Sequence, residues 1–310
     1  MSDHCPLLLV QDLVTRSPPR FRFESFWPLL EGYSDVVRSS WNEQCSLTNG
    51  FAILDYKLKR VAKHLKSWAK NDVGDIRKQL LVGQEIILRF DSAQETRQLT
   101  VDERELRTTL KSRVVGLAVL NRIKARQRAR IQWLRLGDAN TKFFHMRAAN
   151  RKVKNRIHAL QSAEGIATSP AEIEEAIFIH MNNIIGTNVP CLGRFDWNKL
   201  NLPKPNLSDL DSPFSEEEVR KAIFDSATDK APGPDGFSIT FFRTAWGVIK
   251  QDMLTVVNKF FDLNDPSFHC LNTALFVLLP KNDQPTHATH YRPNQPDPFL
   301  CQVDVQDNGK

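Results

Sequence analysis

The segment from Arg122 to Arg156 carries the strongest chemical signal in this 310-residue sequence. It holds twelve basic residues and one acidic residue, Asp138, and contributes +11 to a total formal charge of +6. Lys and Arg neutralise phosphates and aromatic rings offer stacking faces, so this composition predicts contact with RNA or single-stranded DNA. The candidate contact residues are Arg126, Arg128, Arg130, Trp133, Arg135, Lys142, His145, Arg147, Arg151, Lys152 and Lys154. The alternative is a solvated helix face whose aromatic side chains, among them Phe143 and Phe144, belong to the core.

Two cations further along the chain, Lys281 and Arg292, form a second candidate site. Lys281 follows an apolar stretch closed by Pro280, and Arg292 precedes Pro293. Such a pair at a strand end could grip a triphosphate, as cations do in phosphoryl-transfer sites. The alternative is two unrelated surface cations. The loop DKAPGPDG at 229–236 favours a sharp turn over a phosphate cradle, because its prolines remove backbone N–H donors.

Candidates for other catalytic chemistry are few. Asp3 and His4 are adjacent, and carboxylate–imidazole pairs orient general bases; a chance terminal dipeptide is the alternative. Among the eight histidines and five cysteines, none has the spacing of metal ligands. No acidic pair stands where a two-metal site needs one. We therefore expect no metal site.

Long helices are predicted to position the basic segment. Leu54, Leu58, Val61, Leu65 and Trp68 follow heptad steps until the residues around Gly74 interrupt them. Two further helical stretches follow, at 75–98 and from about 106 to 123. They could close on each other as an antiparallel hairpin or form an extended spacer, and the sequence leaves both open.

The second half of the sequence predicts shorter elements. Pro170 opens one helix, and Ser215 with Glu218 forms a capping box that opens another. A further helix is predicted from about Thr240 to Phe261. The stretch Thr273–Leu279 predicts a strand with no neighbouring strand, and hence an unpaired edge.

Overall composition, with 41% apolar and 25% charged residues, is that of a globular protein. No apolar run approaches the roughly 18–20 residues of a membrane helix. Residues 1–10 lack the basic region of a signal peptide. The cysteines are odd in number and far apart, which favours a reducing compartment. We expect a nuclear or cytoplasmic protein without a membrane partner.

Several short motifs follow one another in a recognisable order. They read SDHCPL at 2–7, RQRARIQWLRLGDANTKFFH at 126–145, DKAPGPDG at 229–236, and LPK at 279–281 with YRP at 291–293. In these motifs the chain resembles the polyprotein of plant LINE-type, non-LTR retrotransposons. In that family the first motif ends an apurinic-type endonuclease, and the second lies in the linker before the reverse transcriptase. The others belong to the reverse transcriptase fingers.

The resemblance implies a division of the chain into regions. Residues 1–30 would be the C-terminal remnant of the endonuclease, with Asp3 and His4 as its catalytic pair. We expect this remnant to be inactive. Residues 31–186 would be a helical basic linker domain and 187–213 a Pro-rich linker. Residues 214–293 would be the N-terminal part of the fingers, and 294–310 a disordered tail. The expected fold is mainly α, a helical linker domain followed by an incomplete α+β fingers fragment.

The resemblance also implies a function. Complete family members are RNA-directed DNA polymerases with an endonuclease, and they use Mg²⁺. The polymerase aspartates and most of the endonuclease motifs do not occur in this sequence, so we expect a truncated, catalytically inactive protein without a cofactor. It would retain RNA or single-stranded DNA binding and, through Lys281 and Arg292, a residual contact with a deoxynucleoside triphosphate. The alternatives are a polymerase that acts in a longer assembly, and a helical interaction module without nucleic-acid binding.

Overall fold

The computed structural model describes residues 20–129, 141–162, 165–185, 212–228, 232–259, 267–268, 277–283 and 285–294. Within these ranges helices dominate and strands form small antiparallel pairs, which confirms the prediction of a mainly α protein. The helices are α1 (Tyr33–Asn42), α2 (Gly50–Trp68), α3 (Ile76–Thr96), α4 (Val101–Ala129), α5 (Thr141–Lys154), α6 (Pro170–Ile185), α7 (Glu216–Asp225), α8 (Ile239–Thr244) and α9 (Trp246–Asn258). The strands are β1 (Leu160–Ser162), β2 (Gly165–Ala167), β3 (Val277–Pro280) and β4 (Tyr291–Asn294).

Helix α2 confirms the heptad pattern. Its apolar stripe is buried along the whole length of the helix, because every third or fourth residue faces the same side. The Asn49 side chain accepts a hydrogen bond from the Phe51 N–H and caps the first turn. The helix ends in a π-helical turn, Ala69–Val73, followed by Gly74 at a φ of 67°. A residue with a side chain is strained at that angle, so Gly74 ends the helix where the sequence predicts.

Helices α3 and α4 form an antiparallel hairpin, which resolves the alternative that the sequence left open. Arg107 of α4 pairs with Asp91 of α3, and Gly83 lies close to Val114. In the connection, Glu103 accepts hydrogen bonds from the Arg97 guanidinium and the Thr100 N–H. These bonds lower the pKa of Glu103 to about 2. The hairpin base rests on the main core through Leu117, Leu120 and Ile123.

The prediction of one continuous helix from Thr240 to Phe261 is wrong. The structure has two helices there, α8 and α9, which meet at Ala245. The φ of −93° and ψ of 0° at Ala245 turn the chain, so that Trp246 starts a new helix and is buried. The predicted Ser215–Glu218 capping box at the start of α7 is confirmed.

One core unites segments far apart in the sequence. Phe23, Phe26 and Trp27 are buried together with the apolar faces of α1, α2, α7, α8 and α9. The Phe23 ring lies 5.6 Å from that of Phe241, centroid to centroid, and the Phe23 N–H donates to the Gly236 carbonyl at 2.9 Å. The predicted boundaries at residues 30 and 213 therefore separate segments that share one core.

The loop before α8 is a turn in its described part, Pro232–Gly236. The Gly236 N–H donates to the Gly233 carbonyl at 3.1 Å, and Gly236 has a φ of 78°. A Cβ at Gly236 would lie 2.2 Å from the Phe21 carbonyl oxygen, so only glycine fits this approach. Burial raises the pKa of Asp235 to about 6, although backbone N–H groups, first that of Phe237, act in the opposite direction.

The strands form two separate antiparallel pairs within the described residues. β1 pairs with β2, and β3 pairs with β4 in a register that sets Leu279 opposite Arg292. The expectation of a strand without a partner is therefore wrong: the YRPN stretch at 291–294 is that partner. Pro293 argued against a strand at 291–294, because proline is rare inside strands and is found mainly in edge strands.

Candidate nucleic-acid interface

Helix α5 is held against the end of α4 by one aromatic side chain. Phe144 is 1% exposed and packs against Ala125 and Ala129, with Phe143 beside it. The Phe144 ring is therefore an internal packing group, as in the alternative that assigned the aromatic side chains of this segment to the core. The small alanines of α4 allow the ring to approach, and this contact fixes which side of α5 faces solvent.

Arg151 has a positioning role. Its guanidinium donates to the carbonyl oxygens of Arg128, at 2.7 Å, and Ala129, at 3.2 Å. The last carbonyls of a helix lack intrahelical donors, and a guanidinium supplies them together with a favourable charge. Arg151 thus caps the described end of α4 and ties α5 to it.

The predicted arginine cluster at the end of α4 is partly neutralised. Glu24, whose side chain is 15% exposed, lies 3.1 Å from Arg128 and 3.6 Å from Lys124. Next to this pair, the Gln127 amide donates to the Phe23 carbonyl at 2.7 Å and accepts from the Ser25 N–H at 2.9 Å. Residues 23–25 therefore dock on α4, and Arg128 has a structural partner. Arg126 is half-buried.

The exposed basic side chains of α5 form a separate group, and we call them the α5 basic surface. Helix α5 contains no acidic residue. The Arg147 guanidinium lies 6.0 Å from the Phe143 ring centroid, a cation–π distance that keeps the arginine on the helix surface. Between the cations, Met146 and Val153 are 51% and 69% exposed. The members of the α5 basic surface are Lys142, His145, Arg147, Lys152 and Lys154.

The structure brings the two predicted sites together. Lys154, at the end of α5, forms an ion pair of 3.0 Å with Asp283 in the turn between β3 and β4. The Gln161 N–H of β1 donates to the Thr286 carbonyl at 2.7 Å. The β3–β4 hairpin, which carries Lys281 and Arg292, thus docks beside α5.

Lys281 and Arg292 are exposed on this hairpin. The Lys281 N–H donates to the His290 carbonyl at 2.8 Å, and its ammonium donates to the Thr289 carbonyl at 2.8 Å. Arg292 stands opposite Leu279, and Leu279 precedes Lys281 by two residues. The His290 ring nitrogen Nδ1 accepts from the Thr286 N–H, which closes the turn.

Several predicted residues lie outside the described ranges. These are Asp3, His4, Arg130, Trp133 and Arg135, together with residues 187–211 of the Pro-rich linker and 295–310 of the tail. Within the described ranges, no group of three or more His, Cys, Asp or Glu side chains is placed to hold a metal ion. In the same ranges no helix has the length and apolar character needed to cross a membrane.

Sequence reasoning missed the residues that organise the interface. Glu24 pairs with cations about one hundred positions away, and Asp283 pairs with Lys154 across an even longer separation. Neither acid belongs to a local motif. The one usable signal was the scarcity of acids around the basic residues, which makes each nearby carboxylate a candidate partner.

Comparison with known proteins gives limited similarity. No family model matches the chain. The chain is similar to the transposon TX1 uncharacterized 149 kDa protein of Xenopus laevis, with 22% identity over 270 residues. The alignment covers 85% of this chain and 21% of that protein, so the chain spans about a fifth of the relative's length. The similarity supports a transposon-related origin, in agreement with the resemblance to non-LTR retrotransposons.

Proposed function

We propose that this chain binds the phosphate backbone of RNA or single-stranded DNA through the α5 basic surface, as part of a LINE-type retrotransposon protein. The single observation that carries the proposal is a cationic helix without one acidic residue, anchored by Phe144 so that its cations face solvent. Helices that carry several cations and no acids are typical of phosphate binding, whereas solvated helix faces usually mix both signs of charge.

The mode of binding follows from the side chains present. Lys and Arg contact phosphates without reading sequence, so little sequence preference is expected. Met146 and Val153 offer apolar contact between the cations, where a sugar or an unstacked base would lie. Arg151 and Arg128 are not assigned to the surface, because their guanidinium groups already have protein partners.

The finer parts of the resemblance belong to the same proposal. The chain would hold the end of the endonuclease, the basic linker and the start of the fingers of a plant LINE-type protein. We expect no template-directed polymerisation by these 310 residues alone. In support, none of the four described strands carries a carboxylate, whereas two-metal catalysis needs acidic ligands on the ions. A primer-extension assay with Mg²⁺ tests this, and incorporation of nucleotides would contradict it.

The test of binding uses the full chain and a fluorescent single strand titrated over a range of salt concentrations. The Arg147→Ala and Lys152→Ala double variant should flatten the log–log salt dependence by about 1.4, because each phosphate contact contributes about 0.7 for single strands. The matched control is the Lys63→Ala and Lys66→Ala double variant on α2, which packs against α1 and α9. Binding that is absent at low salt, or independent of salt, would contradict the proposal.

A second candidate function rests on the outer surface of the α3–α4 hairpin. Five apolar side chains there are each more than half exposed: Leu81, Val82, Leu88, Val115 and Val119. Scattered exposed apolar residues are ordinary, but a group on one hairpin favours contact with another helix. If the chain is a module that only self-associates, the Leu81→Gln and Leu88→Gln double variant should be monomeric in sedimentation experiments. The α5 substitutions should then leave the oligomeric state unchanged.

A further inference from the structure

The contact between α5 and the β3–β4 hairpin joins two groups of cations. Lys154 reaches Asp283 at 3.0 Å, and Asp283 lies two residues after Lys281. Two residues span at most about 7.6 Å between Cα atoms. Lys154, the last cation of the α5 basic surface, and Lys281, the first cation of the hairpin, therefore lie close to each other. Their separation is a few times the spacing of phosphates along one strand of a duplex, which is about 3.4 Å along the axis.

The two hairpin cations share one side of the β-ribbon. Residues directly opposite in an antiparallel pair lie on the same face, and so do residues two apart along a strand. Arg292 stands opposite Leu279, and Lys281 is two residues beyond Leu279. Such diagonal neighbours are about 7–8 Å apart. The Lys281 ammonium donates one hydrogen bond to the Thr289 carbonyl. An ammonium has three N–H donors, so two are left for a phosphate.

We infer that the β3–β4 hairpin continues the α5 basic surface, so that Lys281 and Arg292 bind further phosphates of the same RNA or single-stranded DNA strand. This inference rests on the proposed function and extends its site from one helix to a helix and a hairpin. Both cations are exposed on an open ribbon. An open surface suits the repeating phosphates of a polymer, whereas a free triphosphate is usually held by donors that converge on it.

Asp283 has a defined place in this surface. It is the only acid among the described residues of 277–294, and its side chain is 91% exposed. Its carboxylate forms an ion pair with Lys154 at the point where the two groups of cations meet. A bound phosphate would compete with that carboxylate for the same ammonium, because both are anionic acceptors. The ion pair thus weakens the first contact of the strand, whereas the hydrogen bond from Gln161 to Thr286 holds the hairpin turn against β1.

The experiment compares single strands of two lengths on the full chain. Strands of about 6 and about 16 nucleotides lie near the two ends of the usual range of site sizes. The Lys281→Ala and Arg292→Ala double variant should flatten the salt dependence for the longer strand by about 1.4, from two lost phosphate contacts. It should change little for the shorter strand, which α5 can bind alone. The α2 double variant, Lys63→Ala with Lys66→Ala, is the control, and circular dichroism checks that all variants are folded.

The outcomes separate this inference from the function on which it rests. If the hairpin variant keeps the wild-type salt dependence for both lengths while the α5 variant loses it, the hairpin does not contact the strand and the inference is wrong. If neither variant changes it, the proposed function fails as well. Competition assays with a free nucleoside triphosphate add a third arm. A hairpin variant that loses only triphosphate binding would identify a separate nucleotide site and overturn the inference.

Discussion

Arg151 and Lys152 are neighbours with opposite roles at the residue scale. Arg151 caps α4 through two carbonyl oxygens, whereas the Lys152 side chain is exposed. We expect Arg151→Ala to lower the free energy of unfolding by about 1–3 kcal/mol, because hydrogen bonds from a charged group are lost. Lys152→Ala should change it by less than about 0.5 kcal/mol. Urea denaturation measures both, and equal effects would show that Arg151 does not act as a cap.

Asp283 offers a substitution that should improve binding. Asp283→Asn keeps the size of the side chain and removes the charge that pairs with Lys154. The freed ammonium should steepen the salt dependence of single-strand binding by about 0.7. Asp102→Asn, at an exposed acid of α4, is the control for a change of net charge. An unchanged salt dependence in Asp283→Asn would mean that Lys154 does not meet phosphate.

Asp235 predicts a component of stability that depends on pH. Its pKa is raised from the ordinary value of 3.8 to about 6, first by burial and in small part by the charge of Asp55. The folded state thus holds a proton that the unfolded state releases, so this component of the unfolding free energy falls as pH rises from about 4 to about 6. Above that range it is constant.

Asp235→Asn should remove this component. Relative to the wild type, the variant should gain about 1–3 kcal/mol between pH 4 and pH 7, provided that the amide keeps the hydrogen bond from the Phe237 N–H. Denaturation curves at several pH values measure the difference. A constant difference across the whole range would show that Asp235 does not titrate with folding.

Two glycines test the packing of the α3–α4 hairpin at the element scale. A Cβ at Gly116 would meet nothing within 4 Å, whereas one at Gly83 would lie 2.7 Å from Val114 Cγ2. Gly116→Ala should stabilise the protein by about 0.5–1 kcal/mol, because alanine is the better helix former. Gly83→Ala carries the same gain in propensity, but it should destabilise, since the valine is stiff and the helices must separate. Equal stabilisation by both would contradict the close crossing.

Elements that depend on local pattern were predictable, and those that depend on distant partners were not. The stripe from Leu54 to Trp68 repeats at heptad steps, so its buried face follows from the sequence alone. The pairing of β3 with β4 does not, because Pro293 reads as a strand breaker until Leu278 is placed opposite it. The turn at Ala245 was not predictable either, because neither Ala245 nor its two neighbours is Gly or Pro, and Gly247 lies within α9.

The basic character of the candidate site was predictable from the sequence, and its geometry was not. The excess of cations between Arg122 and Arg156 is visible in the sequence and supports the proposal of a phosphate-bearing ligand. Glu24 and Asp283 determine which of these cations are paired, Phe144 determines which side of α5 faces solvent, and only the fold sets these contacts. Lys281 and Arg292 gain a neighbour in α5 for the same reason.

At the scale of the whole molecule, the shared core predicts that its parts do not fold separately. A fragment of residues 212–294 would expose Phe237 and Phe241, which pack against Phe23 in the full chain. We expect this fragment to aggregate or bind an apolar dye, and to regain helical structure when mixed with residues 20–129. An independently folded fragment, resistant to protease, would contradict the shared core.

A single substitution tests the same core in the intact chain. Phe23→Ala should destabilise by about 3–5 kcal/mol, the usual cost of removing a buried aromatic ring. Leu29→Ala is the matched control from the same segment, since Leu29 is 68% exposed, and it should cost less than about 0.5 kcal/mol. Thermal or urea unfolding distinguishes the two. Similar small effects would place residues 23–29 outside the cooperative unit.

The packing of Phe23 on Phe241 also has a consequence for synthesis on the ribosome. Helices α3 and α4 are neighbours in the sequence and can pair as soon as both have emerged. Phe23 must wait for a partner made roughly 220 residues later, which takes about 10–40 s at the usual rate of about 5–20 residues per second. During that interval the aromatic segment of residues 21–27 is available to chaperones. Slower translation before α8 should therefore lengthen chaperone association of the nascent chain.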